Sequence, residues 1–177
     1  MSDPYDALIV TMFGGPGVGK STTAADIFAR LKWTQVSVEM VQEYAKGKVY
    51  EESMRTLDHQ IYVFGKQLHY VKRCAREVDV VVQDASLLNS LIYKREKTSE
   101  TFKRLVREEY ERFDNFNIYI ERDHPYDSEG RYQTREEALK LDARIERKLE
   151  ELGLNYIKCK SGPENVGPLI REIQGRV

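Results

Sequence analysis

The run Gly14-Gly-Pro-Gly-Val-Gly-Lys-Ser-Thr22 restricts what this chain can fold into more than any other stretch of it. It satisfies G-x-x-x-x-G-K-[ST] at every fixed position, a pattern whose successive backbone N–H groups wrap phosphate at the start of a helix. Such a loop needs a strand before it and a helix after it. Ala7 to Phe13 is an apolar, β-branched run of strand length, and Ala24, Ala25, Ile27, Phe28 and Leu31 recur at helical spacing. Gly15, Pro16, Gly17, Val18, Gly19, Lys20, Ser21 and Thr22 are therefore the candidate nucleotide-binding residues. Lys20 would reach the β and γ phosphates, and Ser21 a magnesium ion.

The remaining chain alternates strand and helix signals. Gln35 to Val41 alternates apolar and polar residues as a second strand, and Tyr44 to Tyr50, with a glycine inside it, reads as a loop. Met54, Leu57, Ile61, Phe64, Leu68, Val71 and Ala75 then mark one face of a single long helix, packed on a sheet rather than in a coiled coil. Val78 with Val80 to Val82 is a third strand ending in Gln83-Asp84. Helices are expected over Ser86 to Arg95 and Ser99 to Phe113, and a fourth strand over Phe116 to Ile120. Pro125 to Gln133 has turn-forming residues and no period, which makes it a loop, with a short lid expected over about 123 to 135. Thr134 with Glu137 has capping-box spacing ahead of a helix that Gly153 stops, Leu154 to Cys159 is a fifth strand, and Ser161 with Glu164 repeats the capping-box spacing before a last helix. The expected fold is α/β: a five-stranded, mainly parallel sheet with helices on both faces, of P-loop NTPase type, in one domain over residues 1 to 177.

Charge and cysteine content narrow the function classes. A net charge of −1 gives no global basic field of the kind that concentrates a protein on nucleic acid or anionic membrane. Cys74 and Cys159 match no metal spacing and sit in apolar stretches, as reduced core residues of a cytoplasmic protein do. No apolar run is long enough to span a membrane, so no membrane partner is expected, and nothing in the sequence sets an oligomeric state.

Parallel sheets bind ligands outside the carboxyl ends of their strands, which directs attention to Glu43, Asp84, Arg122 and Asp123. Asp84 emerges where a carboxylate can hold magnesium beside Ser21, its alternative use being a helix cap. Glu43 can take the proton of an attacking hydroxyl or hold sugar hydroxyls, or be an exposed loop carboxylate. Arg131, in the irregular loop, can bring a guanidinium onto the charge of phosphoryl transfer, with Arg122 and Arg135 as rivals. Lys20, Glu43, Asp84 and Arg131 are thus the candidate catalytic residues, and Ser21 and Asp84 the candidate magnesium ligands.

Five elements in order, Gly14 to Thr22, Val41-Gln-Glu-Tyr-Ala-Lys46, Gln67, Val82-Gln-Asp-Ala-Ser86 and Tyr126-Asp-Ser-Glu-Gly-Arg131, resemble the NadR-type ribosylnicotinamide kinase family of small P-loop kinases. The resemblance covers about Ala7 to Gly153. It implies ATP- and magnesium-dependent phosphorylation of a hydroxyl on a nucleoside-like substrate, with Lys20 and Ser21 at the phosphates and metal, Glu43 near the acceptor, Asp84 at the metal or the acceptor hydroxyl, and Arg131 in the lid. Lys46 stands where that family has arginine, and Ala-Ser-Leu-Leu follows Asp84, so the acceptor stays open.

Three functions follow. The first is a kinase for a nucleoside-like or nucleotide substrate. A nucleic-acid kinase, acting on a 5′ hydroxyl or a modified-base hydroxyl, is suggested by Lys46, Lys48, Lys94, Arg95, Lys97, Arg104 and Arg107, with Tyr44, Tyr50, Tyr70 and Tyr93 to stack bases. The third is a regulatory ATPase without a phosphoryl acceptor.

Overall fold

The computed structural model describes residues 5–92, 98–123 and 134–177. Arg131, most of the expected lid and the basic stretch after Ile92 lie outside them.

The apolar run before the glycine loop forms β1 (Leu8–Phe13), every residue of it buried. Burial on both faces makes it a central strand of a parallel sheet. It pairs with β3 (Val80–Gln83) on one side and β4 (Asp114–Glu121) on the other; β2 (Val38–Val41) and β5 (Ile157–Lys160) are the outer strands, in the order β2-β3-β1-β4-β5, all parallel. The five-stranded α/β fold expected from the sequence is the fold observed.

Side chains alternate across β1. Leu8, Val10 and Met12 pack with α1 (Lys20–Trp33) and α7 (Pro163–Gln174) on one face, through Ile27, Leu31, Leu169 and Ile173. Ile9 and Phe13 join a second core on the other face. That core takes Phe64 and Val71 from α3 (Gln60–Cys74), Phe102 and Val106 from α5 (Glu100–Glu111), and Ile145 and Leu149 from α6 (Arg135–Glu151).

Four local expectations are corrected. Tyr44–Tyr50 is a helix, α2, not a loop; a Cβ at Gly47 would meet nothing within 4 Å, so that glycine serves no turn. The long helix is two elements, a 3-10 segment over Met54–Asp58 and then α3, divided at His59. Its inward positions are Phe64, Gln67 and Val71, while Met54 and Ile61 are 53% and 71% exposed. A polar residue, Gln67, took a core position that an apolar count could not assign. After β3 only a short helix, α4 (Asn89–Ile92), forms within the described residues. Finally, α7 begins at Gly162 and Pro163 with no side-chain cap, because Ser161 turns toward the glycine loop. By contrast, the capping box of Thr134 and Glu137 at α6 is present in both directions.

Candidate active site

Between β1 and α1 the chain turns through positive φ at Gly14 (134°), Gly17 (79°) and Gly19 (95°), conformations that disfavour side chains. Space is as restricted as angle. A Cβ on Gly14 would come within 2.8 Å of the Ile120 carbonyl, and one on Gly19 within 2.2 Å of Ser161 Oγ. α1 then opens at Lys20 with no acidic residue in its first turn, leaving the positive end of its dipole for an anion.

Lys20 Nζ donates to the carbonyl oxygens of Gly14 (2.8 Å) and Gly15 (2.7 Å). Burial pulls its pKa below the ordinary lysine value, while Glu43, Asp84 and Asp142 work against that fall. At the next residue, Ser21 Oγ donates to Asp84 Oδ2 at 2.7 Å, and the other oxygen of Asp84 accepts from the Glu43 backbone N–H at 3.0 Å. Asp84 is 4% exposed at the end of β3. It does not cap α4, since the turn there is closed by the Ser86 hydroxyl accepting from the Leu88 N–H. An all-oxygen pair of hydroxyl and carboxylate at a helix start is the donor set magnesium takes, so these residues fit that ion.

Glu43 lies at the junction of β2 and α2. Burial raises its carboxyl pKa, Asp84 adds to the rise, and Lys20 and Lys46 oppose it. A carboxylate so placed holds a proton at higher pH than a free glutamate, a property suited to a general base. Beside it opens a cavity of about 430 Å³ lined by Glu43, Met54, Leu57, Gln60, Ser86 and Ser90 among others. The wall is apolar with a few amide and hydroxyl groups, the usual make-up of a small-molecule site. Buried Gln67 fixes that wall by accepting from the Tyr44 backbone N–H at 2.9 Å.

Lys20, Ser21, Glu43 and Asp84 are thus brought together. Arg131 lies outside the described residues, as do the other expected lid positions from 124 to 133. Of its rivals, Arg122 is committed elsewhere. Its Nε meets Asp142 Oδ2 at 2.7 Å and its Nη2 donates to the Pro16 carbonyl at 2.8 Å. Asp142 Oδ1 in turn accepts from the Gly15 backbone N–H at 2.9 Å. Asp142 was not among the sequence candidates, yet a signal existed. It sits four residues after Ala138 and three before Ile145, an acid in the middle of a buried helical stripe.

Comparison with known proteins fits this picture. A family model described as an AAA domain matches residues 9–165. Among curated proteins nothing matches the chain. Solved structures similar in fold include NadR in complex with NR (TM-score 0.68, 19% identity, 98% of this chain and 52% of that one). NadR in complex with NAD and AMP-PNP is another (TM-score 0.65, 18% identity, 97% and 49%). A third is the deoxyadenosine kinase from M. mycoides with dCMP and a flexible dCDP (TM-score 0.57, 19% identity, 95% and 97%). The chain spans about half the length of the NadR chains. No described helix is long and apolar enough to cross a membrane.

Proposed function

The chain belongs to the AAA domain family, and we propose that it works as an ATP- and magnesium-dependent kinase that moves the γ-phosphoryl group to a hydroxyl of a nucleoside-like or nucleotide substrate. The observation that carries this reading is the bridge through Asp84. One carboxylate joins the phosphate-loop hydroxyl of Ser21 to the backbone of Glu43, so a donor-side group and an acceptor-side group share one rigid support. The neighbours of similar fold are consistent with it, since the deoxyadenosine kinase holds dCMP and dCDP and one NadR complex holds NAD and AMP-PNP.

In this mechanism the loop amides and Lys20 bind the phosphates, Lys20 exchanging the carbonyls of Gly14 and Gly15 for phosphate oxygens. Ser21 and Asp84 would hold magnesium, which would supply charge neutralisation to the phosphates when bound. The acceptor hydroxyl, seated in the cavity beside Glu43, attacks the γ-phosphorus. Its proton passes to the Glu43 carboxylate, and the bond from the γ-phosphorus to the bridging oxygen breaks to release ADP. A regulatory ATPase has no use for a half-buried carboxylate facing a largely apolar cavity, which weighs against that alternative.

Transfer from γ-labelled ATP to a panel of nucleosides, nucleotides and oligonucleotides tests the reading. Label is expected on a hydroxyl acceptor; release of inorganic phosphate alone, across the whole panel, overturns it.

A further inference from the structure

The face that runs outward from Glu43 has a composition the active site does not use. Tyr44 follows Glu43 directly and stands at the start of α2. Its ring meets Tyr62 edge-on with centroids 5.8 Å apart and Tyr70 with centroids 6.1 Å apart. Tyr62, Lys66, Tyr70 and Arg73 follow one another on α3 at spacings of four, four and three, so they share one helix face. Each ring of this row has a cation over it: Lys48 over Tyr44 at 5.4 Å, Lys66 over Tyr62 at 5.6 Å and Arg73 over Tyr70 at 4.8 Å.

The charge is one-sided. α2 and α3 carry Lys46, Lys48, Lys66, Lys72 and Arg73 and no acidic residue, in a chain whose net charge is −1. Lys48 pairs with Glu51. Lys66 and Arg73 have no carboxylate within 4.0 Å among the described residues, and Lys72 turns away to pair with Glu109. Open space lies on both sides of the row: a cavity of about 1040 Å³ reaches from Tyr44 past Tyr62 to Ser99, and one of about 510 Å³ reaches from Glu43 past Tyr44 to Arg73. Tyr62 is 47% exposed and Ile61 beside it 71%.

We propose that this alternating row of tyrosines and cations is a binding platform for single-stranded nucleic acid, leading a nucleotide of the strand to Glu43. It deepens the kinase reading above and rests on it for the reaction, not for the binding. Base planes stack on tyrosine rings without regard to sequence, and cations spaced between them neutralise the phosphates. A platform of three rings is suited to a strand of several nucleotides, whereas a free nucleoside would engage at most the ring nearest the carboxylate. A duplex is disfavoured, because its bases are already stacked on one another.

The test reads binding apart from transfer. A fluorescein-labelled single DNA strand of about 12 nucleotides is titrated by fluorescence anisotropy against the intact chain without ATP, over a series of salt concentrations. Binding is expected to weaken with salt. Tyr62→Ala is expected to raise Kd about tenfold, and the double variant Lys66→Ala with Arg73→Ala to flatten the slope of log K against log salt by about 1.4 for two phosphate contacts. Turnover of a free nucleoside should stay unchanged in these exposed-face variants. No strand binding at low salt, a Kd unmoved in both variants, or an equal loss with free nucleoside would each overturn the platform. Binding without transfer to any acceptor would refute the kinase reading and leave the platform standing; transfer to nucleosides without strand binding would refute the platform alone.

Discussion

The two walls of the candidate site are built in different ways. On the donor side, the loop is held on every flank: Lys20 by two loop carbonyls, Ser21 by Asp84, Gly15 by Asp142 and Pro16 by Arg122. On the acceptor side, neither α2 nor the 3-10 segment over Met54–Asp58 contributes a buried residue. One wall is pinned by hydrogen bonds along its whole length, and the other is tied to the body of the fold mainly at its start, where the Glu43 N–H donates to Asp84 and the Tyr44 N–H to Gln67. A phosphate group is the same in every nucleotide, so its cradle gains from rigidity. The acceptor wall is the part in which substrate choice resides, and its loose attachment leaves it free to adapt.

The sharpest way to break this contrast is Lys20→Ala. Transfer should fall about 10³-fold, the loss expected when a preorganised cation is removed from a developing charge. Acceptor binding, measured by calorimetry without ATP, should be unchanged if the walls are independent. Undiminished transfer would remove the phosphate role from Lys20.

Glu43→Gln probes the other wall, with transfer expected to fall about 10²-fold. Because burial raises the Glu43 pKa, the base is ionised only above a pH higher than that of an ordinary carboxylate. The acid limb of the kcat/KM profile should accordingly lie at higher pH than the free-carboxylate range and vanish in the Gln variant. Stability has its own sign. A carboxylate with a raised folded-state pKa binds protons more tightly when folded, so it weakens the fold as pH climbs from the unfolded value through the folded one. Glu43→Gln should raise Tm at neutral pH, with the gain disappearing below the unfolded pKa of about 4.3. Equal Tm values at all pH would show that Glu43 is solvated.

Lys20 and Glu43 were both sequence candidates, and sequence reading ends beyond them. The donor loop and the five strands were legible because backbone chemistry dictates them: glycines where φ is positive, apolar runs where strands are buried on both faces. What escaped was the structural task of polar side chains at apolar positions: Gln67 entered only through the family resemblance, and Asp142 not at all. Gln67 stands between Phe64 and Val71, and Asp142 between Ala138 and Ile145, each on a buried stripe. A stripe counted by its apolar members steps over them, although a polar residue there is the one that needs a partner. The helical state of Tyr44–Tyr50 was hidden by Gly47, which lowers helix propensity by about 1 kcal/mol without forbidding the helix.

The Asp142 clamp gives a middle-sized effect. Asp142→Ala leaves the Gly15 N–H without its acceptor and takes the Asp142 carboxylate from the mostly buried Arg122, a loss of about 2 kcal/mol. The KM for ATP should rise about tenfold as the loop loosens. Gly15→Ala would place its Cβ 1.9 Å from Asp142 Oδ1, so it must push the carboxylate away. Combined, the two substitutions should cost less than their sum, because Asp142→Ala makes room for the new methyl. Strict additivity in Tm and KM would show that the clamp does not hold the loop.

The smallest change lies on the loose wall. Gly47 is in the middle of α2, and a methyl there would touch nothing within 4 Å. Gly47→Ala should therefore stabilise the chain by about 0.5 kcal/mol, through helix propensity and a less disordered unfolded state, and raise Tm by about 2 °C. If the acceptor wall works by adapting, the stiffer α2 should also change acceptor KM while KM for ATP stays fixed. A shift in both would mean that the two walls move as one body, and the contrast between them would lose its functional meaning.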